Sequence, residues 1–267
     1  MTVSSPFYSE DHEAFRSVVR QFAKNEIIPN IQEWEQAGEV PRDLYRKAAS
    51  IGIFGDGFEE VYGGHGQRDA ILRMVIMQEL AMAGAGGVVA SMLSNYIALP
   101  TIQRAGSNEM KAKVLTPCLA GDAVSALAIT EPSGGSDVAR IKTVAKRDGE
   151  EFIVNGQKTF ITSGMYADYL TVAVRTGGEG ARGISLLLIE GDREGVERTR
   201  LDKMGWLSSD TATLYFDDVR VPVENLIGEE GTGFSSIMNN FNAERIDMAA
   251  QSIAYSRACY EEALEWS

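Results

Sequence analysis

Histidine and cysteine are scarce in this chain. Among its 267 residues only His12, His65, Cys118 and Cys259 occur, each far from the next. That sparsity excludes a clustered Cys/His zinc pattern and a disulfide framework, so no metal and a reducing, cytoplasmic setting are expected. Positive charge is short too: 25 Lys and Arg face 38 Asp and Glu, a net charge of −13. A phosphate backbone selects the opposite sign, so nucleic acid is not an expected partner. Long apolar runs are missing as well. The stretch from Ala81 to Pro100 comes nearest, but Gly84, Gly86, Gly87, Asn95 and Tyr96 break it. That pattern suits a buried helix and loop rather than a bilayer span, and no membrane insertion is expected. The opening residues, MTVSSPFYSEDHEAF, have neither the basic start nor the apolar run of a signal peptide, and they are too acidic for a transit peptide.

What is present is a hydrophobic content of 44%, enough for a substantial core. From Ser9 to about Gly121 apolar residues recur at helical spacing, as in Phe15, Val18, Val19 and Phe22, with Ser9 placed to cap the first helix. From Ala123 the character changes to short β-type runs separated by Gly and Asp, and Asn155–Gly156 reads as a hairpin turn. After Gly233 the helical period returns and reaches Ser267 with no stop signal. The chain is therefore expected to be an α+β multidomain protein: a helical domain over 1–121, an antiparallel β-domain (barrel or sandwich) over 122–230, and over 231–267 the first helix of an incomplete helical bundle.

Chemistry concentrates in AITEPSGGSD, residues 128–137. The adjacent glycines Gly134 and Gly135 fit an ordinary strand-to-loop turn. They equally fit a backbone cradle, in which bare amides approach an anionic or planar ligand and Ser136 adds a hydroxyl. The segment lacks the Lys-Ser/Thr of a P-loop and the spacing of a Rossmann turn, which disfavours both standard nucleotide sites.

Taken in order, AITEPSGGSDVA, NGQKTFITSG and LYFDDVRVPVENLIGEEGTGF, following a helical domain, resemble the acyl-CoA dehydrogenases. The resemblance runs along essentially the whole chain. It implies FAD as cofactor, an acyl-CoA thioester as substrate, and oxidation to the trans-2-enoyl-CoA with hydride passing to the flavin. Leu127, Ile129, Thr130, Gly135 and Ser136 match the family's first flavin segment, with Ser136 also facing the thioester arm. Phe160, Ile161 and Thr162 match the second, with Phe160 where the family often has Trp. The chain departs from the usual pattern at Arg140, where a small residue is common. An electron-transfer flavoprotein as electron acceptor and a homo-oligomer, a dimer of dimers, are implied in the same way.

Such an oxidation needs a base for the α-proton. In most of the family that base lies beyond the residues present here, but in a subset including the isovaleryl-CoA and long-chain acyl-CoA dehydrogenases it belongs to a Glu-Arg pair. Glu244–Arg245 in NNFNAERIDMAAQ matches that place. Ile237, Phe241, Glu244 and Met248 are spaced by four, three and four, which predicts a carboxylate in line with apolar side chains and a raised pKa. Asn242, where many relatives have Asp, and Arg245 are the candidates near the substrate's CoA arm. Met92, Asn95 and Tyr96, in SMLSNYIALP, are the candidates to shape the acyl pocket. Two other functions remain open on the same residues: an acyl-CoA oxidase or flavin monooxygenase, and a non-catalytic acyl-CoA-binding module.

Overall fold

The computed structural model describes residues 6–267, so the first five residues of the N-terminal stretch read above lie outside it. Among the described residues seven α-helices come first: α1 (Glu10–Phe22), α2 (Ile31–Ala37), α3 (Arg42–Ser50), α4 (Ala70–Ala81), α5 (Gly86–Met92), α6 (Asn95–Ala105) and α7 (Asn108–Leu119). Ser9 caps α1 as its sequence suggests, its hydroxyl accepting from the His12 amide while the His12 ring accepts from the Ser9 amide. This reciprocal box satisfies two amides that the first turn leaves without helical partners. Asp69 does the same for α4, accepting from Ile71 and Leu72.

Eight strands follow: β1 (Ser125–Ala128), β2 (Val144–Asp148), β3 (Glu151–Thr162), β4 (Tyr169–Arg175), β5 (Ile184–Glu190), β6 (Val196–Arg200), β7 (Thr211–Pro222) and β8 (Leu226–Ile227). They form one sheet in the order β6-β7-β3-β2-β4-β5-β8, with β1 added alongside β4. Most pairs are antiparallel, but β1 runs parallel to β4, and β2 meets β4 in parallel at one residue pair. The last element is α8 (Gly233–Trp266), 34 residues long. Among the described residues no helix is long and apolar enough to cross a membrane.

Strand alternation splits the buried side chains into two cores. Along β5, Leu187 and Ile189 join the interior of the β-domain, while Leu186 and Leu188 face the helices. On β4, Val172 and Val174 point one way and Ala173 the other. Both faces of these strands are therefore covered, which explains their unbroken apolar runs. On β1, Ala126 and Ala128 face the β interior, so Leu127 and the following Ile129 lie on the helical side. The helical domain is pinned to the sheet by polar contacts: the Glu35 carboxylate accepts from the amides of Leu207 and Ser208, and Arg42 pairs with Asp168 at 2.7 Å.

One expectation fails in the sheet. Asn155–Gly156 is not a turn but lies inside β3, and the β2–β3 reversal occurs instead at Gly149–Glu150. Gly156 sits at φ +148°, at a register shift against β7, and a Cβ there would lie 2.6 Å from Thr143 Oγ1. The dipeptide's tolerance of unusual φ serves a close approach of chains opposite a bulge whose extra residue lies on β7, where Asp218 takes φ +47°. Gly156→Ala is expected to destabilise the fold by about 1–3 kcal/mol, read as a lower urea midpoint in equilibrium unfolding.

Candidate active site

The second motif reaches the first through a buried ion pair. Lys158 on β3, with no solvent exposure, places Nζ 2.8 Å from Glu131 Oε1 and 3.0 Å from the Ile129 carbonyl. Glu131 also accepts from the amides of Lys142 and Thr143. Burial alone would raise the Glu131 carboxyl, but the Lys158 charge and these donors bring it below its ordinary value. Burial pulls the Lys158 ammonium down to about 8, with Glu131 opposing the shift. One further bond, from the Thr159 amide to the Thr130 carbonyl at 2.8 Å, locks β3 against the segment leaving β1.

That lock sets the turn. Glu131 and Gly134 exchange two backbone hydrogen bonds, at 3.1 and 3.0 Å, closing the Glu131–Gly134 reversal. Gly134 opens to free space, whereas a Cβ on Gly135 would meet Thr130 Cγ2 at 3.1 Å. Gly135 therefore lets the loop fold back onto Thr130 and stay low beside the cavity. The turn and the bare backbone surface are two aspects of one structure.

At the end of β3, Phe160 takes φ +59° and leaves 69% of its surface exposed. A left-handed conformation at a bulky residue is strained, and an exposed aromatic gains nothing from the core in exchange. Phe160, Ile161 and Thr162 line one cavity with Leu127, Ile129, Thr130 and Gly135. Ser136, next to Gly135, is exposed. The opposite wall is Ser94 and Ile97 from the start of α6 and Phe241 from α8. The cavity thus lies where all three parts of the chain meet, and its lining carries no formal charge.

The acyl-pocket candidates Met92, Asn95 and Tyr96 lie outside the lining of this cavity. Met92 is fully buried in the helical core. Asn95 turns inward, its Oδ1 accepting from the Ser125 amide at 2.8 Å and its Nδ2 donating to the Cys118 carbonyl. Tyr96 is buried against Phe58, and its hydroxyl donates to the Ile53 carbonyl. Met92 closes α5 while Asn95 and Tyr96 open α6, and all three side chains are buried. Ser94 and Ile97 flank Asn95 and Tyr96 and reach the cavity; no sequence signal beyond their place in SMLSNYIALP marks them.

Glu244 lies one turn beyond Phe241 on α8 and is half-buried. Asn240 Nδ2 lies 2.8 Å from both Glu244 Oε1 and the Ile97 carbonyl, tying the carboxyl to the cavity wall. Burial, reinforced by the like charge of Asp247, pushes the Glu244 pKa up to about 7, against the opposing charges of Arg73 and Arg245. The expected alignment with apolar residues is only partly met, since Ile237 is buried but Met248 is 52% exposed. Glu244 instead borders a polar stripe, Asn240, Asp247 and Gln251, all buried. Asn242 and Arg245 are exposed and bonded to each other at 3.0 Å.

Comparison with known proteins agrees with this architecture. Residues 9–122 match the family description "Acyl-CoA dehydrogenase, N-terminal domain", 126–219 the middle domain and 231–267 the C-terminal domain. A putative acyl-CoA dehydrogenase from Mycobacterium smegmatis, solved by crystallography, is 48% identical, with a TM-score of 0.95 over 98% of this chain and 69% of that one. The chain belongs to the acyl-CoA dehydrogenase family. Long-chain specific acyl-CoA dehydrogenase, mitochondrial, of Sus scrofa is 39% identical over 96% of this chain, which spans 60% of that protein's length. A glutaryl-CoA dehydrogenase of Mycobacterium smegmatis, solved in complex with FADH2, is 28% identical with a TM-score of 0.89, over 97% of this chain and 65% of that one.

The Lys158–Glu131 pair should be needed as a pair. Lys158→Met leaves an unpaired buried carboxylate and is expected to cost about 3–5 kcal/mol, whereas Lys158→Met with Glu131→Gln should cost much less. Denaturant unfolding of the two single variants and the double variant measures the difference.

Proposed function

We propose that this chain carries the catalytic half of an FAD-dependent dehydrogenase that oxidises an acyl-CoA thioester between its α and β carbons. The observation that carries the proposal is Glu244: a half-buried carboxyl, held by Asn240 beside an uncharged cavity, with its pKa raised to about 7. A base of that proton affinity is matched to work near neutral pH.

The residues present fit a flavin. Phe160, strained and exposed, offers a ring face with no protein partner described on it, which suits a planar ligand. Leu127, Ile129, Ile161 and Thr162 would hold the ring system, Thr130 would bond its edge, and Gly135 and Ser136 would face the pyrophosphate. When bound, the flavin supplies the acceptor for the β-hydride. The protein's own part is to place the thioester, exclude water and take the α-proton onto a Glu244 oxygen. Ser94, Ile97 and Phe241 would border the acyl chain, and Asn242 and Arg245 would stand near the CoA arm. An electron-transfer flavoprotein as acceptor and a homo-oligomeric whole protein complete the reading.

The ionised carboxylate is the active form, so the rate should rise with pH through about 7 and level off above it. Glu244→Gln should retain flavin and lose at least about a hundredfold in turnover, and it should abolish that limb. The test is a visible spectrum of the purified protein, followed anaerobically on adding short, branched and long acyl-CoA thioesters. Bleaching of bound flavin is expected, fastest for the preferred chain. Bound flavin that no thioester bleaches would reject the dehydrogenase, and near-normal bleaching by Glu244→Gln would reject the base.

A further inference from the structure

A second charged cluster lies behind Glu244, on the side of α8 facing α4. Arg73, at the centre, is 3% exposed. Its Nε lies 3.0 Å from Asp247 Oδ2, and its guanidinium stacks 3.8 Å above the Tyr96 ring and donates to the Tyr96 carbonyl. Asp56 stands 4.0 Å from the same guanidinium, and its Oδ2 has no hydrogen-bond partner among the described residues. One buried cation thus serves two buried carboxylates, with Glu244 one helical turn from Asp247. Side chains at that i, i+3 spacing are neighbours on a helix surface.

We propose that the Arg73–Asp247 pair sets the charge state of Glu244, so that both act as positioning residues for the proton rather than by touching substrate. The inference rests on Glu244 being the base only for its functional meaning, because the electrostatic effect exists without flavin or thioester. Burial of Arg73 and Asp247 and half-burial of Glu244 give their charges weight that solvent would otherwise screen. Asp247 opposes ionisation of Glu244, Arg73 favours it, and their mutual contact fixes the balance. Burial also raises the Asp247 and Asp56 carboxyls, with Arg73 as the main opposing charge, so removing the guanidinium would disturb all three.

The other charges near the cluster come from each surrounding element. Arg245 lies on α8 itself and favours the ionised Glu244. Arg68 precedes α4 and acts on Asp56 and Asp247. Arg104, from α6, lines a neighbouring cavity with Arg68, Arg73 and Asp56. The β-domain contributes no charged side chain to the cavity near Glu244.

The test is direct titration of the carboxyl in the purified chain labelled with 13C at the glutamate side-chain carboxyl, followed by NMR. The resonance is assigned by its loss in Glu244→Gln. Asp247→Asn should lower the Glu244 midpoint by at least one pH unit, a tenfold fall in proton affinity. Arg73→Gln should raise it by a similar factor, and Arg73→Lys should restore most of the normal value. A loosened structure would not produce shifts of opposite sign, so these directions separate electrostatic control from packing damage. If Arg73→Gln fails to fold, Asp247→Asn and Arg73→Lys carry the test. A folded Asp247→Asn with an unmoved midpoint overturns the proposal. Midpoints that move as described, in a protein whose Glu244→Gln variant keeps normal turnover, would reject the base while leaving the electrostatic control standing.

Discussion

The ion pair between Lys158 and Glu131 is the contact on which the cavity depends. It joins the strand carrying Phe160–Thr162 to the segment carrying Ile129 and Thr130, with both charges buried. A charge so buried is tolerable only with its partner and further hydrogen bonds in place, and here both requirements are met. Glu131 accepts from Lys158, Lys142 and Thr143, and Lys158 also reaches the Ile129 carbonyl. The end of β3 and the segment leaving β1 are held as one wall. The strained backbone at Phe160 then persists because its neighbours in the chain are fixed.

Much of this was legible in the sequence, for reasons that differ by element. The three-part organisation follows from the change of hydrophobic period, which is a property of the chain itself. The loop and strand motifs stood out because glycines and hydroxyls cluster there. Lys158 also left a trace: it shares strand parity with Phe152 and Val154, both buried, so alternation points a lysine into the core. Asn155–Gly156 misled because the same backbone freedom serves a turn or a close approach of chains, and only the neighbouring strands decide which. The helical signal around Met92, Asn95 and Tyr96 marks buried positions without naming what they meet.

The α8 helix shows the limit most clearly. Ile237, Phe241, Glu244 and Met248 share a helical stripe, and so do Ile237, Asn240, Glu244, Asp247, Gln251 and Ala254. Both follow the same three- and four-residue spacing, and Glu244 belongs to each. Amphipathic pattern alone therefore leaves its surroundings ambiguous between apolar and polar. Packing against α4, which brings Arg73 to Asp247, decides that the polar stripe is buried.

The two buried clusters differ in a way that separates support from chemistry. Around Lys158 every charge is answered and the carboxylate has a full set of donors, which favours one rigid arrangement. Around Arg73 the account is uneven: one guanidinium stands among Asp56, Asp247 and Glu244, and an Asp56 oxygen is left without a donor. Carboxyls crowded in a partly desolvated space resist ionising together, because each added charge raises the cost of the next. Glu244 is the member that Asn240 ties to the cavity wall, and burial with the like charge of Asp247 pushes its pKa up to about 7.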